Sequence, residues 1–450
     1  MLALVASGID RLGAREQGVR VTDSRDDVLA TRDAVVDRGP ARLPRTAAFW
    51  ALGAILLAFL FAASAPSPLY VVYQARWGFS AATLTTVFAV YALALLIALV
   101  TVGALSDDVG RRPVLAAALL VEALSMVLFI AADGVGWLLA ARAVQGLATG
   151  TATGAISASL IDLQPERNPR LGALVNSTAP SVGLATGALG SGLLVQFAPA
   201  PTTLVFAALV VAFAAALLGV ALMPETARRR PGAVASLRPR VSVPRRIRPD
   251  FLVVTPCLIA TWALGGLYLS LGPSLAAGVL HIQSHLVGGL VIFALTGMGV
   301  IGSLTLRDGA SRRVMVVGSM VLAVGAGVTL LALALTSTVV FFLGTAIAGF
   351  GFGTAFLGAF RTLSVLAEPG ERAELFATVY VVNYLAFSLP AIAAGLAASP
   401  LGLRRTATVY GVVVILFAMS AVLGLDARRS RKASRTATDP QAAPSCPQVG

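Results

Sequence analysis

The stretch Leu171–Met223 reads LGALVNSTAPSVGLATGALGSGLLVQFAPAPTTLVFAALVVAFAAALLGVALM, 53 residues without one formal charge. A helix crossing the hydrocarbon of a bilayer needs about 20 apolar residues, so this run holds two crossing helices folded back at 198–201. Val314–Phe360 repeats the pattern over 47 residues, and Thr46–Ala75 and Trp77–Leu105 are single charge-free runs. By the same measure, helices are expected at 47–74, 80–104, 113–132, 135–162, 171–197, 202–223, 251–276, 284–305, 313–335, 338–362, 373–398 and 406–425. Composition agrees. Charged residues make up 12% of the chain, and its mean hydropathy is +0.85. A soluble domain carries about 25% charged residues.

The formal charge of +13 first suggests a nucleic-acid partner. Its distribution gives a simpler cause. With both termini in the cytoplasm, 30 of the 34 Lys and Arg residues fall on the cytoplasmic side; Arg76, Arg404 and Arg405 are outside, and Arg142 lies within a span. This is the positive-inside bias; no nucleic-acid partner is expected. Cys257 and Cys446 cannot build a disulfide framework. Met1–Asp10 lacks the basic start of a signal peptide. Residues 1–46 mix eight Arg with seven acids and read as a loosely ordered cytoplasmic tail or an over-extended start.

The segment 224–250 holds five prolines and eight arginines, a composition that favours solvated, extended backbone. It divides a six-helix unit, 47–223, from a second, 251–425, followed by a tail at 426–450. A weak repeat supports the division. Gly103, Leu105, Asp107, Gly110 and Arg111–Arg112 recur as Gly302, Leu304, Asp308, Gly309 and Arg312–Arg313. Chance combined with the charge bias is the competing explanation. Paired halves with a cargo site at mid-membrane are one way in which transporters are built.

The segment Gly103-Ala-Leu-Ser-Asp107-Asp-Val-Gly110-Arg111-Arg112-Pro-Val-Leu115, set between two apolar runs, resembles the loop signature of the major facilitator superfamily. Gly110 permits a tight turn, and Asp107 suits a helix N-terminus. Arg111 and Arg112 can pair with acids or terminal carbonyls across the interface between halves. The resemblance implies a cytoplasmic latch made by Gly103, Asp107, Gly110, Arg111 and Arg112. Asp108 stands where the family usually has a basic residue. The competing reading is a short charged turn.

Arg142 and Gln145 lie in Leu138-Ala-Ala-Ala-Arg142-Ala-Val-Gln145-Gly146-Leu-Ala-Thr-Gly150, similar to the family's helix-4 motif. A charge within the apolar zone should face a partner or a water-filled cavity, or else snorkel to the outer headgroups. Gly146, Gly150 and Gly154 leave a smooth face for close helix packing. Glu122 is the carboxylate nearest the middle of a span. It reads either as a proton carrier or as a neutral acid bonded to a neighbouring helix. Helices 3 and 4 are joined near Asp133–Val135. At about 1.5 Å per residue, Glu122 and Arg142 differ in depth by roughly 6 Å, which an Arg could span if the two face each other. In proton-coupled members of the family the matching Arg is implicated in coupling, so Arg142, Glu122 and Gln145 are candidates for that role.

Gly183–Gly192 resembles the family's antiporter motif, with Ala188 where proline is expected; plain helix packing accounts for its glycines as well. Cavity candidates, on helices that line the pore by resemblance, are Tyr91, Asn176, Trp262, Tyr268, Asn383 and Tyr384. Tyr70, Tyr73 and Trp77 read as interfacial anchors. His281 and His285 offer two imidazoles with no acid or Cys near them in sequence, too few ligands for a metal site.

The expected fold is all-α: twelve transmembrane helices in two six-helix bundles. The expected function is alternating-access secondary transport, proton-coupled export of a small apolar or amphipathic compound. Uptake or facilitated diffusion of a neutral solute or organic anion is the alternative, and a membrane enzyme or sensor the alternative from another class. Helix 1 carries no acid, which argues against a specialised exporter of cations. The partners expected are cargo, protons and the lipid of a bacterial-type inner membrane, around a monomer without cofactor or metal.

Overall fold

A computed structural model describes residues 43–437 except Ala104, 169–170, 228–241, Gln283 and 369–370, and without the side chains of Asp107, 372–373 and 426–437. Residues 1–42 of the expected tail, the centre of the linker and the last 13 residues therefore lie outside the described part.

Among the described residues every regular element is a helix, and twelve long ones follow in order. They are α1 (Arg45–Trp77, in two pieces), α2 (Ala81–Val102), α3 (Arg111–Ile130), α4 (Val135–Leu163), α5 (Leu171–Phe197), α6 (Leu204–Ala221), α7 (Arg248–Ser270), α8 (His285–Thr305), α9 (Ser311–Leu335), α10 (Thr338–Leu366), α11 (Arg372–Leu401) and α12 (Leu403–Ala437). Eleven are long and apolar enough to cross a membrane. The remaining one, α4, has 29 residues and carries Arg142, Gln145 and a run of Gly, Ser and Thr, much of it buried by its neighbours.

Two helices expected to be continuous are broken. The first parts at Ala65 into Arg45–Ser64 and Pro66–Trp77. Pro66 has no N–H for the carbonyl of Ala62, nor Pro68 for that of Ser64. The seventh parts at Leu271, where Gly272–Gly278 continues as a short helix with Pro273 in its first turn. The breaks occupy corresponding helices of the two halves, both toward the end remote from the linker.

Within each half, helices approach closely where a glycine removes the side chain. A Cβ on Gly146 or Gly150 of α4 would collide with the carbonyl of Tyr91 or Leu95 on α2, and one on Gly318 or Gly325 of α9 with the α10 backbone at Ala355 or Ala348. Without a hydrophobic force between helices in lipid, such close packing supplies the attraction. The outer faces are apolar and exposed, as at Leu120, Leu124 and Val127 of α3.

The halves α1–α6 and α7–α12 meet along α5 with α8 and α2 with α11. The contacts cluster toward the end remote from the linker. Gly192 of α5 lies against Gly289 of α8, and Gly395 of α11 against Thr85 of α2. Gln196 Oε1 accepts from the hydroxyl of Ser284 at 3.2 Å and the N–H of His285 at 2.9 Å. The rings of Phe88 and Phe387 are 4.8 Å apart.

The repeat has a structural counterpart at the linker end. Arg112, opening α3, donates to the carbonyl of Ala221 at the end of α6, 2.5 Å away. Arg312, opening α9, donates to the carbonyl of Leu425 in α12. Each half thus ties the start of its third helix to the last turn of its sixth span.

Candidate functional site

Glu122, Gln145 and Arg142 are fully buried and connected, though not as a direct ion pair. The depths of Glu122 and Arg142 allow direct contact only if the two face each other; the link is instead a bridge through Gln145. Arg142 Nη1 donates to Gln145 Oε1 at 2.7 Å, and Gln145 Nε2 donates to Glu122 Oε1 at 3.3 Å. The spacing of Arg142 and Gln145 at i and i+3 puts both on one face of α4. Glu122 projects from the inner side of α3, opposite that helix's exposed leucines, and Thr149, one turn beyond Gln145, donates to its other oxygen at 3.4 Å.

The network continues into the break of α1. Gln145 Nε2 also donates to the Ala62 carbonyl at 3.0 Å, the one Pro66 leaves without a helical donor. Arg142 Nη1 donates to the Ala63 carbonyl at 2.9 Å, and its Nε donates to the hydroxyl of Tyr70 at 2.6 Å. The guanidinium carbon sits 5.6 Å from the ring centre of Tyr70 and 5.0 Å from that of Tyr91, within cation–π range. Arg142 therefore does not snorkel; its charge is held inside the bundle. Tyr70 and Tyr73 are 1% exposed and not interfacial anchors. Trp77 is half-buried and stacks on Tyr73 at 4.8 Å. Prolines 66 and 68 inside an apolar run were the available signal for Tyr70 and the two carbonyls.

The corresponding junction of the second half is neutral. Tyr268 of α7 shares its hydroxyl with Thr345 of α10 at 3.0 Å and Thr329 of α9 at 3.3 Å. It is bound inside its own bundle. The first, third and fourth helices of each half thus meet at a polar junction, charged in one half and uncharged in the other.

Other candidates are dispersed. Asn176 of α5 accepts from Ser157 of α4 at 2.8 Å. Asn383 of α11 is fully buried, and neither amide atom has a hydrogen-bond partner among the described residues. Tyr384 and Trp262 pack together, centroids 5.0 Å apart. His285 lines a cleft of about 220 Å³ between the far ends of α1, α7 and α8. Among the described residues no group of three or more His, Cys, Asp or Glu could hold a metal ion.

At the linker end, Gly110 adopts φ +108°, a turn that favours glycine. It delivers α3 onto Glu225, which follows α6. The Glu225 carboxylate accepts from the N–H of Arg111 at 3.0 Å and of Arg112 at 3.1 Å, capping α3 where a carboxylate meets the positive end of the helix. Arg111 pairs with Asp162, which closes α4, and donates to Thr226 at 3.3 Å. These bonds of Arg111 and Arg112 join the loop to the first half, not across to the second. Glu225 was missed in the sequence; it is 114 residues from Arg111, and no local pattern links them. Gly103 has its Cβ position filled by the Leu99 carbonyl; the side chain of Asp107 lies outside the described residues.

A model of the Major Facilitator Superfamily matches residues 50–389. Among solved structures, the chain is similar to a bacterial homolog of the human lysosomal transporter Spinster, in an inward-facing and unoccupied conformation. The TM-score is 0.68 and the identity 14%, over 86% of this chain and 97% of that one. It is likewise similar to the human organic anion transporter MFSD10 (TETRAN), at TM-score 0.62 and 18% identity over 85% of this chain and all of that one. No curated protein matches the chain.

Proposed function

The chain belongs to the Major Facilitator Superfamily and is a multi-pass membrane transporter of small molecules rather than an enzyme; from that premise we propose that it exports an apolar or amphipathic compound in exchange for protons. One observation carries the reading: Glu122 is sealed from water and joined through Gln145 to Arg142 and to the break in α1. A carboxyl that passes between such a site and water binds its proton with different strength in the two states. Proton affinity and helix geometry are then linked, and each biases the other. The two closure zones, α5 with α8 and α2 with α11, are where rocking would open the far end.

The test uses protein reconstituted in vesicles with an imposed pH gradient. Glu122→Gln should abolish gradient-driven accumulation of cargo while cargo exchange continues. Unchanged gradient-driven transport in this variant overturns the proton role. A second reading is uptake or facilitated diffusion of a neutral solute or an organic anion. It is favoured by Arg142 Nη2, which has no hydrogen-bond partner among the described residues. In that case transport should not respond to the pH gradient.

The proposed orientation puts the linker and both termini in the cytoplasm of a bacterial-type inner membrane, with the protein acting as a monomer. Position 235 replaced by cysteine should resist an impermeant thiol reagent on intact cells, and position 281 should react. The reverse pattern inverts the orientation.

A further inference from the structure

The second half carries aromatic side chains in a register that the proton site does not use. On α11, Phe376, Tyr380, Tyr384 and Phe387 follow at steps of four, four and three, one face of a helix. On α10, Phe356 and Phe360 do the same. The rings join into a ladder. Phe360 stacks on Phe376 at 4.8 Å and lies 5.9 Å from Phe356. Trp262 of α7 meets Phe356 at 5.8 Å, Tyr384 at 5.0 Å and Phe387 at 5.7 Å edge-on, and Tyr380 lies 6.4 Å from Tyr384. At its upper end Phe387 touches Phe88 of the first half. The ladder thus runs from the closure between the halves down to the linker end.

Two facts separate it from ordinary core. Trp262, Phe356, Phe360, Phe376, Tyr380 and Tyr384 are only partly buried. Yet the lipid-facing residues of α11, Leu389 and Leu396, sit on its other side, roughly 120° or more around from Tyr380, Tyr384 and Phe387 at about 100° per residue. The open ring surface therefore faces the space between the halves, because Phe387 on the same stripe meets α2. No charged side chain occurs in Phe251–Ala276, Thr338–Phe360 or Leu375–Pro400. Arg142, the buried charge of the other half, is 0% exposed.

We propose that this ladder is the cargo wall: a neutral, flat aromatic compound stacks on Trp262, Tyr384 and Phe356, while the charged junction of the first half handles the proton. The inference rests on the transport reading above, but its test needs no gradient. Stacked and edge-on aromatic pairs gain about 0.5–1.5 kcal/mol beyond burial, so the loss of one ring weakens binding roughly three- to tenfold.

The probes are anthracene, its saturated perhydro form and anthracene carboxylate. The chain has four tryptophans. A protein in lipid nanodiscs that keeps Trp262 alone, the others being Phe, reports on the wall. One that keeps the 54% exposed Trp50 alone reports on partition into lipid. Anthracene should quench Trp262 with saturation and Trp50 without it. Tyr384→Leu and Phe356→Leu should each raise the Kd three- to tenfold, and Tyr384→Phe should restore it; thermal unfolding checks that each variant is folded. Perhydroanthracene should not displace anthracene, and the carboxylate should bind more weakly. Equal behaviour of the two tryptophans, undiminished binding in the Leu variants, competition by the saturated ring system or tighter binding of the carboxylate each overturns the wall. Such a result leaves proton-driven transport standing on its vesicle assay. Conversely, a saturable wall with an unresponsive Glu122→Gln variant removes the proton role and keeps the wall.

Discussion

The side-chain amide of Gln145 occupies the place of a missing backbone donor: its Nε2 lies 3.0 Å from the carbonyl of Ala62, whose helical partner would be the absent N–H of Pro66. An unsatisfied buried carbonyl costs about 1–3 kcal/mol. Gln145→Leu should therefore lower the thermal stability of the purified protein by several degrees. Adding Pro66→Ala returns an N–H to that carbonyl and should recover part of the loss. Strict additivity of the two changes would mean that the pair is not coupled.

Tyr70 and Tyr73 make a matched comparison, since both are buried and only Tyr70 holds a charge. Tyr70→Phe leaves Arg142 Nε without its acceptor and should cost about 1–3 kcal/mol, with a severalfold fall in vesicle transport. Tyr73→Phe removes a hydroxyl that has no hydrogen-bond partner among the described residues, and should be neutral or stabilising. Equal effects in unfolding and transport would deny Tyr70 its role in holding the guanidinium.

A methyl added at Gly150 runs into the backbone of α2 and to within 2.8 Å of the Ala98 Cβ. Gly150→Ala should destabilise the fold by about 1–3 kcal/mol through overpacking. At Gly327 of α9 nothing lies within 4 Å, and Gly327→Ala should be neutral or stabilise by up to about 1 kcal/mol. Thermal unfolding of both variants in detergent checks the contrast.

Glu225 caps α3 through two N–H groups, and losing such a cap costs about 1 kcal/mol. Glu225→Ala should lower stability by that order and reduce transport, with normal amounts of protein in the membrane. From the loop motif, Asp107→Ala should cut transport strongly and Asp108→Ala less. Equal tolerance of all three would reduce the loop to a charged turn.

The spans were legible because hydropathy and the scarcity of charge act on every residue of a crossing helix. Arg142 and Glu122 stood out for the same reason, as rare charges deep in apolar runs. Their mode of connection was not legible. Depth along two helices gives an axial offset and no rotation, so Gln145 as the bridge emerges only when α3 and α4 are packed. Tyr70 reads as an anchor because a tyrosine near a helix end normally sits in the headgroup layer; the contrary signal is the pair of prolines, 66 and 68, at the break that precedes it. Tyr268 has the composition of a cavity group, but Thr329 and Thr345 consume its hydroxyl from helices more than 60 residues away. The ladder on α11 could have been counted from its spacing, yet only the burial pattern separates a wall from a core.

The glycines that close the far end make this arrangement adjustable by size alone. Gly289 rests on the Ala188 carbonyl and Gly395 on the Thr85 hydroxyl, with no room for a methyl at either point. In any state that parts α5 from α8 and α2 from α11, the same methyl would stand in free space. Its steric penalty would fall on one state only, and a ligand or substitution shifts an equilibrium by its difference between states. Gly289→Ala and Gly395→Ala act as wedges, and the family of variants Ala, Ser and Val at these two positions would form a graded scale for setting how often the far end stands open.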